Sequence, residues 1–122
     1  MSERMETGRA ALVGAGILGV AGVSAAALSA HAGSDPRLMS AAALVCLTHA
    51  PALMAIGLSG RRDVMLRLAG LLLFVGAALF ASDMALREFG HGRLFAMAAP
   101  SGGIAMMAGW LAAAVSAFTA RR

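Results

Sequence analysis

Hydrophobic residues along this chain fall into four long stretches, separated by short polar segments. The stretches cover approximately residues 10–30, 38–58, 66–86 and 100–120. A helix needs about 20 apolar residues to cross a hydrocarbon core about 30 Å thick, because each residue rises about 1.5 Å. Helices also satisfy their own backbone hydrogen bonds in lipid, where open strands cannot. The pattern therefore predicts an all-α fold, in which residues 1–122 form a single integral membrane four-helix bundle.

The polar segments contain residues that are typical of turns. Gly33-Ser34-Asp35-Pro36 follows the first stretch, and Ser59-Gly60-Arg61-Arg62-Asp63 follows the second, so both predict tight hairpin connections. The third segment, 87–99, is longer, and its Leu94-Phe95-Ala96-Met97 run could lie along the membrane interface. Pro100 is then expected to open the last helix, where its missing N–H has no cost.

Composition favours a membrane environment over a nucleic-acid partner. Of the 122 residues, 60% are apolar and only 13% are charged, which is unusual for a soluble domain. The ten positive charges are all Arg and lie in short clusters between uncharged stretches. The basic stripe with interleaved aromatics that nucleic-acid binding requires is missing from the sequence. We expect the lipid bilayer to be the surrounding partner, and no nucleic acid.

The distribution of arginine predicts the orientation of the bundle, because positively charged loops are retained in the cytoplasm. Three arginines belong to one face, namely Arg37, Arg87 and Arg93. Seven belong to the other face: Arg4, Arg9, Arg61, Arg62, Arg67, Arg121 and Arg122. Both termini are therefore expected on the cytoplasmic side of a bacterial inner membrane, in a multi-pass protein.

A secretory signal is the competing interpretation of the first stretch. Ala30-His31-Ala32 resembles a signal cleavage site. However, the apolar stretch is longer than the usual signal core of about 7 to 15 residues. We therefore expect the first stretch to remain as a membrane helix.

The spacing of small residues predicts how the helices pack, because small side chains let helix backbones approach closely in lipid. Gly19 and Gly22 mark a packing face on the first helix. On the fourth helix small residues recur every four positions from 101 to 117, including Ala105, Gly109 and Ala113. We expect the first and fourth helices at internal contacts, and the Leu-rich third helix to show the most surface to lipid.

Two polar side chains are expected near the middle of the bilayer. His49 lies about halfway along the second helix, two residues before Pro51, which should free a backbone carbonyl and kink the helix. Trp110 should lie at nearly the same depth, and its indole N–H needs an acceptor. We hypothesise that both side chains face the bundle interior, and that His49 or a freed carbonyl accepts this hydrogen bond. A structural bond is the leading interpretation, with a proton relay or haem ligation as alternatives.

A second polar group is expected at the outer end of the bundle. Asp83 and Arg87 are four residues apart and can form an ion pair on one helix face. His31 and His91 should lie at the same membrane face. These four residues could form a cluster that anchors the outer interface or binds an ion or proton.

Catalytic and metal-binding motifs are not recognisable in the sequence. The single Cys46 has no paired cysteine, and the nine Met residues form no paired metal motif. No catalytic triad, phosphate loop or pair of carboxylates is evident. We therefore expect no catalytic residues, no cofactor, no metal and no enzymatic activity.

Several segments resemble a family of small membrane proteins. The segments are Ala25-Ala26-Ala27-Leu28-Ser29-Ala30-His31-Ala32-Gly33, Thr48-His49-Ala50, Leu79-Phe80-Ala81-Ser82-Asp83, Ala99-Pro100-Ser101-Gly102-Gly103 and Gly109-Trp110-Leu111. In this order they resemble the bacterial domain of unknown function 423 family, which is similar to the eukaryotic transmembrane protein 256. The chain departs from the family pattern at Asp83, where the family often has a small uncharged residue. The resemblance implies a four-helix inner-membrane protein with no assigned reaction.

The absence of catalytic motifs leads to a structural or accessory role. We expect the protein to pack through its small-residue faces against itself or against a larger inner-membrane complex. The alternative is a small oligomeric transporter or channel for protons or cations. It would use His49 or the group around His31 and Asp83.

Overall fold

Four helices account for almost all of the computed structural model, which describes residues 2–31, 35–61 and 63–119, with backbone alone at 3 and 4. The helices are α1 (Ser2–His31), α2 (Pro36–Leu58), α3 (Val64–Glu88) and α4 (Ala98–Thr119). Each is long and apolar enough to cross a bilayer. The predicted all-α membrane architecture of four helices is therefore confirmed. The described residues contain no strand.

An aspartate side chain caps the N-terminus of each of the two central helices, α2 and α3. Asp35 precedes α2, and its side chain accepts the backbone N–H of Arg37 at 3.0 Å. Asp63 precedes α3 and accepts the N–H of Met65 at 3.0 Å. These bonds satisfy backbone donors that have no partner within the helix. Both predicted turns therefore contain the residue that caps the next helix.

The four helices form two antiparallel hairpins that meet along their middle members. α1 packs on α2, α3 packs on α4, and α2 packs on α3. α3 also touches α1 lightly, so it contacts all three other helices. Over the described residues α1 and α4 make no contact with each other. The expectation that α3 shows the most surface to lipid is therefore wrong, because α3 contacts every other helix. α1 and α4 do lie at internal contacts, with α2 and α3 respectively, but they flank the bundle and the central pair is α2 and α3.

Reciprocal glycine contacts bring the helices of each hairpin together. A Cβ on Gly8 would lie 3.0 Å from the carbonyl oxygen of Gly57, and one on Gly57 would lie 3.0 Å from that of Gly8. In the second hairpin a Cβ on Gly76 would lie 2.6 Å from the carbonyl oxygen of Gly102. Any side chain at these positions would separate the backbones.

The predicted packing residues have different surroundings. Gly22 packs against α2, where an added Cβ would lie 2.6 Å from Leu47 Cγ, and Gly109 packs equally closely on α3. Gly19 has no neighbouring atom within 4 Å of an added Cβ, so it does not mark a close contact within the described bundle. Ala105 and Ala113 are half-buried at the edge of the α3–α4 contact.

The long third connection is irregular between α3 and α4. Leu94, Phe95 and Met97 are exposed in an irregular loop before α4. α4 begins at Ala98, so Pro100 is the third residue of the helix and not its first. It still lies in the first turn, where the missing N–H breaks no helical bond.

Some of the sequence predictions fall outside the described residues. These are Gly33 and Ser34 of the first turn, Arg62 of the second, the helix end at 120, and Arg121 and Arg122. The side chain of Arg4 is also among them.

Candidate functional site

His49 is buried in the middle of α2 and uses both ring nitrogens. Nδ1 lies 2.7 Å from the carbonyl oxygen of Val45. A carbonyl cannot donate, so Nδ1 must carry the proton and donate to it. Thr48 Oγ1 lies 3.2 Å from the same nitrogen and donates to the carbonyl of Leu44 at 2.8 Å. The backbone of α2 itself therefore fixes the tautomer of the imidazole.

Trp110 supplies the partner of the second imidazole nitrogen. Its Nε1–H donates to His49 Nε2 at 3.1 Å, with the ring centroids 5.8 Å apart. This bond is the hydrogen bond hypothesised from the sequence, with His49 as its acceptor. It links α2 to α4, two helices whose backbones do not contact each other over the described residues.

The orientation of Trp110 differs from the expectation. The residue is 50% exposed, so the indole does not lie wholly in the bundle interior. Its N–H edge points to His49, and the rest of the ring forms part of the outer surface. Pro51 is also exposed, and α2 continues through it to Leu58. The pair therefore lies at the edge of the bundle, where the α2–α4 groove meets the outside.

Asp83 lies at the opposite end of the bundle from the chain termini and is completely buried, at 0% exposure. Its Oδ1 accepts the backbone N–H of Leu94 at 2.8 Å. Its Oδ2 lies 2.9 Å from Arg87 Nη2, although the angle of approach is outside hydrogen-bond geometry. The carboxylate therefore fastens the loop before α4 to the end of α3.

The two histidines expected near Asp83 do not join it. His31 ends α1 and His91 lies in the loop, and both are exposed. Among the described residues no side-chain hydrogen bond or ion pair connects either histidine to Asp83 or Arg87. Instead of the expected cluster of four residues, the structure has an ion pair between Asp83 and Arg87, and the Asp83 carboxylate also accepts a loop N–H.

Sequence reasoning missed a polar network at the end of the bundle that holds the termini. Arg61 Nη2 donates to the carbonyl of Ser116 at 2.7 Å and lies 3.3 Å from Asp63 Oδ2. Thr119 Oγ1 donates to the same carboxylate oxygen at 3.0 Å. Asp63 is thus both the cap of α3 and the anchor for the last turn of α4. Its position directly before an apolar helix was the available signal.

Metal-binding geometry is not present in the part of the chain that the structure describes, since no three His, Cys, Asp or Glu side chains come together. Cys46 is a buried free thiol between α1 and α2. His49 is therefore a single imidazole with both nitrogens in use, and no second ligand accompanies it.

Residues 25–103, more than half of the chain, match the family model described as "Protein of unknown function (DUF423)". The chain belongs to the DUF423 family. The DUF423 match covers the end of α1, all of α2 and α3, and the first turn of α4, so it includes His49 and Asp83 but stops before Trp110. No curated protein and no solved structure matches the chain.

Proposed function

We propose that this protein is a non-catalytic structural or accessory protein of the bacterial inner membrane. It associates laterally with a second copy of itself or with a larger membrane complex. The proposal rests on the contrast between the outward faces of the two flanking helices, α1 and α4. Residues on these faces have no helix of this chain against them.

One exposed stripe on the outward face of α1 consists of small and β-branched residues. Gly16, Val20, Val23 and Ala27 follow one another at intervals of four, three and four residues, which places them on one stripe. All four are exposed, and among the described residues no neighbouring atom lies within 4 Å of a Cβ built on Gly16. Nothing within this chain therefore requires glycine at that position.

The outward face of α4 has a different character. It includes the exposed large side chains of Ile104, Met107, Leu111 and Phe118. Large, flexible side chains fit disordered acyl chains well, whereas small residues favour close contact between helices. The difference between the two faces supports lipid around α4 and a protein neighbour against α1.

The polar sites give less support to transport or catalysis. In the neutral state both His49 nitrogens are bonded, so a proton carried through His49 would first have to displace Val45 or Trp110. The Asp83 carboxylate is buried and bound to the loop. We therefore assign both groups structural roles within the proposal.

Substitution on the two outward faces tests the proposal. Wild type should elute from a mild detergent as a dimer or larger complex by light scattering. Gly16→Leu should shift it towards the monomer, because the larger side chain prevents close approach. Ala114→Leu is the matched control, since Ala114 is exposed on α4, and it should leave assembly unchanged.

Pull-downs from native membranes compare the same variants. A partner lost with Gly16→Leu and kept with Ala114→Leu supports the accessory role. A strictly monomeric wild type that recovers no such partner contradicts it.

A further inference from the structure

A cavity of the bundle lies in the groove between α1 and α3. It has a volume of about 500 Å³, with Leu53 and Ile56 of α2 as its floor. Gly70 of α3 widens it, since an added Cβ there would have no neighbour closer than 3.7 Å, and Phe74 packs over Gly14 of α1. The exposed residues Val13, Ile17 and Leu71 border the opening, so the groove faces the membrane. Its inner surface is almost entirely apolar.

The depth of the groove corresponds to one leaflet of a bilayer. Its lining on α1 runs from Thr7 to Ile17. Ten residue steps along a helix span about 15 Å, which is half of a hydrocarbon core about 30 Å thick. The groove therefore has the length of a single acyl-chain layer, at the end of the bundle that holds the termini.

Positive charge is concentrated at the terminal end of this groove. Arg9 and Arg67 both line it, and none of the described lining residues is acidic. The Nε of Arg67 is buried without a hydrogen-bond partner. Glu6, one turn before Arg9, is exposed and outside the lining, and Asp63 is engaged by Met65 and Thr119. An anion at this end of the groove would be attracted by both guanidinium groups, whose terminal nitrogens form charge-assisted hydrogen bonds with phosphate.

A second cavity in the same groove provides an internal comparison. It lies nearer the opposite end of the bundle, has a volume of about 230 Å³, and is lined by residues such as Ala25, Cys46 and Ala85. None of its lining residues is charged. Of these two cavities, only the larger one is lined by charged residues as well as by a long apolar surface.

We propose that the larger cavity is a binding site for one anionic phospholipid. One acyl chain lies in the groove along Gly14 and Gly70, and the phosphate lies between Arg9 and Arg67. Basic pockets between membrane helices commonly bind the head groups of anionic lipids. The occupant is a lipid and not a free anion, because most of the site is an apolar channel open to the bilayer.

Native mass spectrometry of the full chain in mild detergent tests this site. The probes are phosphatidylglycerol and phosphatidylcholine with identical acyl chains. Phosphatidylglycerol should bind more tightly. Arg9→Gln and Arg67→Gln should each weaken it by about fivefold, the scale expected for one arginine near an anionic lipid. Arg67→Lys, which keeps the charge, should retain most of the binding.

Two matched controls separate the site from general lipid contact. Arg37→Gln removes the same charge at the opposite end of the bundle and should leave binding unchanged. Gly70→Leu fills the larger cavity and should reduce phosphatidylglycerol binding, whereas Ala85→Leu fills the smaller one and should not. Circular dichroism confirms that each variant remains helical.

Three results would overturn the proposal. They are equal binding of the two lipids, unchanged phosphatidylglycerol binding in the Arg9→Gln/Arg67→Gln variant, and an equal effect of Gly70→Leu and Ala85→Leu. Displacement of the lipid by millimolar inorganic phosphate would also overturn it, because the site would then be one for a free anion.

Discussion

The hydrogen bonds of His49 show how both nitrogens of an imidazole find partners near the middle of a membrane helix. Nδ1 donates to the carbonyl of Val45, and Nε2 accepts from Trp110. The neutral Nδ1–H tautomer is therefore the form that fits this site.

Loss of the indole donor tests this arrangement. Trp110→Phe should lower the free energy of unfolding by about 0.6 to 1.7 kcal/mol, the usual range for an interhelical hydrogen bond in a membrane protein. In a His49→Leu background, Trp110→Phe should lower the free energy of unfolding by less, because the bond between the two residues is already absent. Unfolding in detergent measures both, and additive effects of the two substitutions would contradict the coupling. The ¹⁵N signals of His49 should show a proton on Nδ1.

Asp83 leads to a second prediction at the residue scale. Asp83→Leu should lower the free energy of unfolding by about 1.5 to 3 kcal/mol, the scale of a hydrogen bond to a charged group, because the buried carboxylate that accepts the Leu94 N–H is lost. Asp83→Asn should cost less, since an amide oxygen can still accept that bond. Trypsin should also cut faster at Arg93 in the loosened loop of Asp83→Leu.

Ser82→Ala is the control for the Asp83 variants, because Ser82 is exposed beside Asp83 and should affect neither measurement. An Asp83→Leu protein with wild-type stability and wild-type tryptic cleavage would show that this bond does not hold the loop.

At the scale of helix pairs, two consecutive glycines have opposite surroundings. A Cβ on Gly102 would lie 2.7 Å from the carbonyl oxygen of Gly76 and 3.0 Å from the backbone nitrogen of Phe80. A Cβ on Gly103 would meet nothing within 4 Å. The sequence alone gives no reason to distinguish the two. The structure makes one of them essential to the α3–α4 contact.

Single alanine substitutions should separate these two glycines. Gly102→Ala should lower the free energy of unfolding by about 1 to 3 kcal/mol, because the backbones of α3 and α4 must move apart. Gly103→Ala should be neutral or slightly stabilising, since alanine favours a helix more than glycine does. Thermal unfolding in detergent measures both variants. Equal destabilisation would mean that helix propensity and not close approach determines the effect.

The packing faces could be predicted only in part from the sequence, for a geometric reason. A residue every four positions advances about 40° around a helix with 3.6 residues per turn, so the 101-to-117 series winds away from its partner. The buried positions of α4 are spaced by four and three residues to compensate, at Ala98, Gly102, Met106, Gly109, Ala112 and Ser116. Gly109 belongs to both series, which is why that single assignment agrees with the structure.

At the scale of the whole molecule, the number and extent of the helices could be predicted because bilayer thickness sets the length of an apolar stretch. Which helices lie in the centre could not. Leucine content suggested lipid exposure for α3, but a Leu-rich helix can bury one face and expose another, and Leu73 is fully buried while Leu71 is exposed. The arrangement depends on pairwise fit, such as Gly76 against Gly102, which requires coordinates.

The orientation of the bundle in the membrane remains a prediction from its arginines. Arg9, Arg61 and Arg67 lie towards the end that holds the termini, and Arg87 and Arg93 lie at the other end. Single cysteines test this in a Cys46→Ala background. A membrane-impermeant maleimide added to intact cells should label Arg93→Cys in the exposed loop and not Ser2→Cys. Both should react after permeabilisation, and labelling of Ser2→Cys in intact cells would invert the predicted topology.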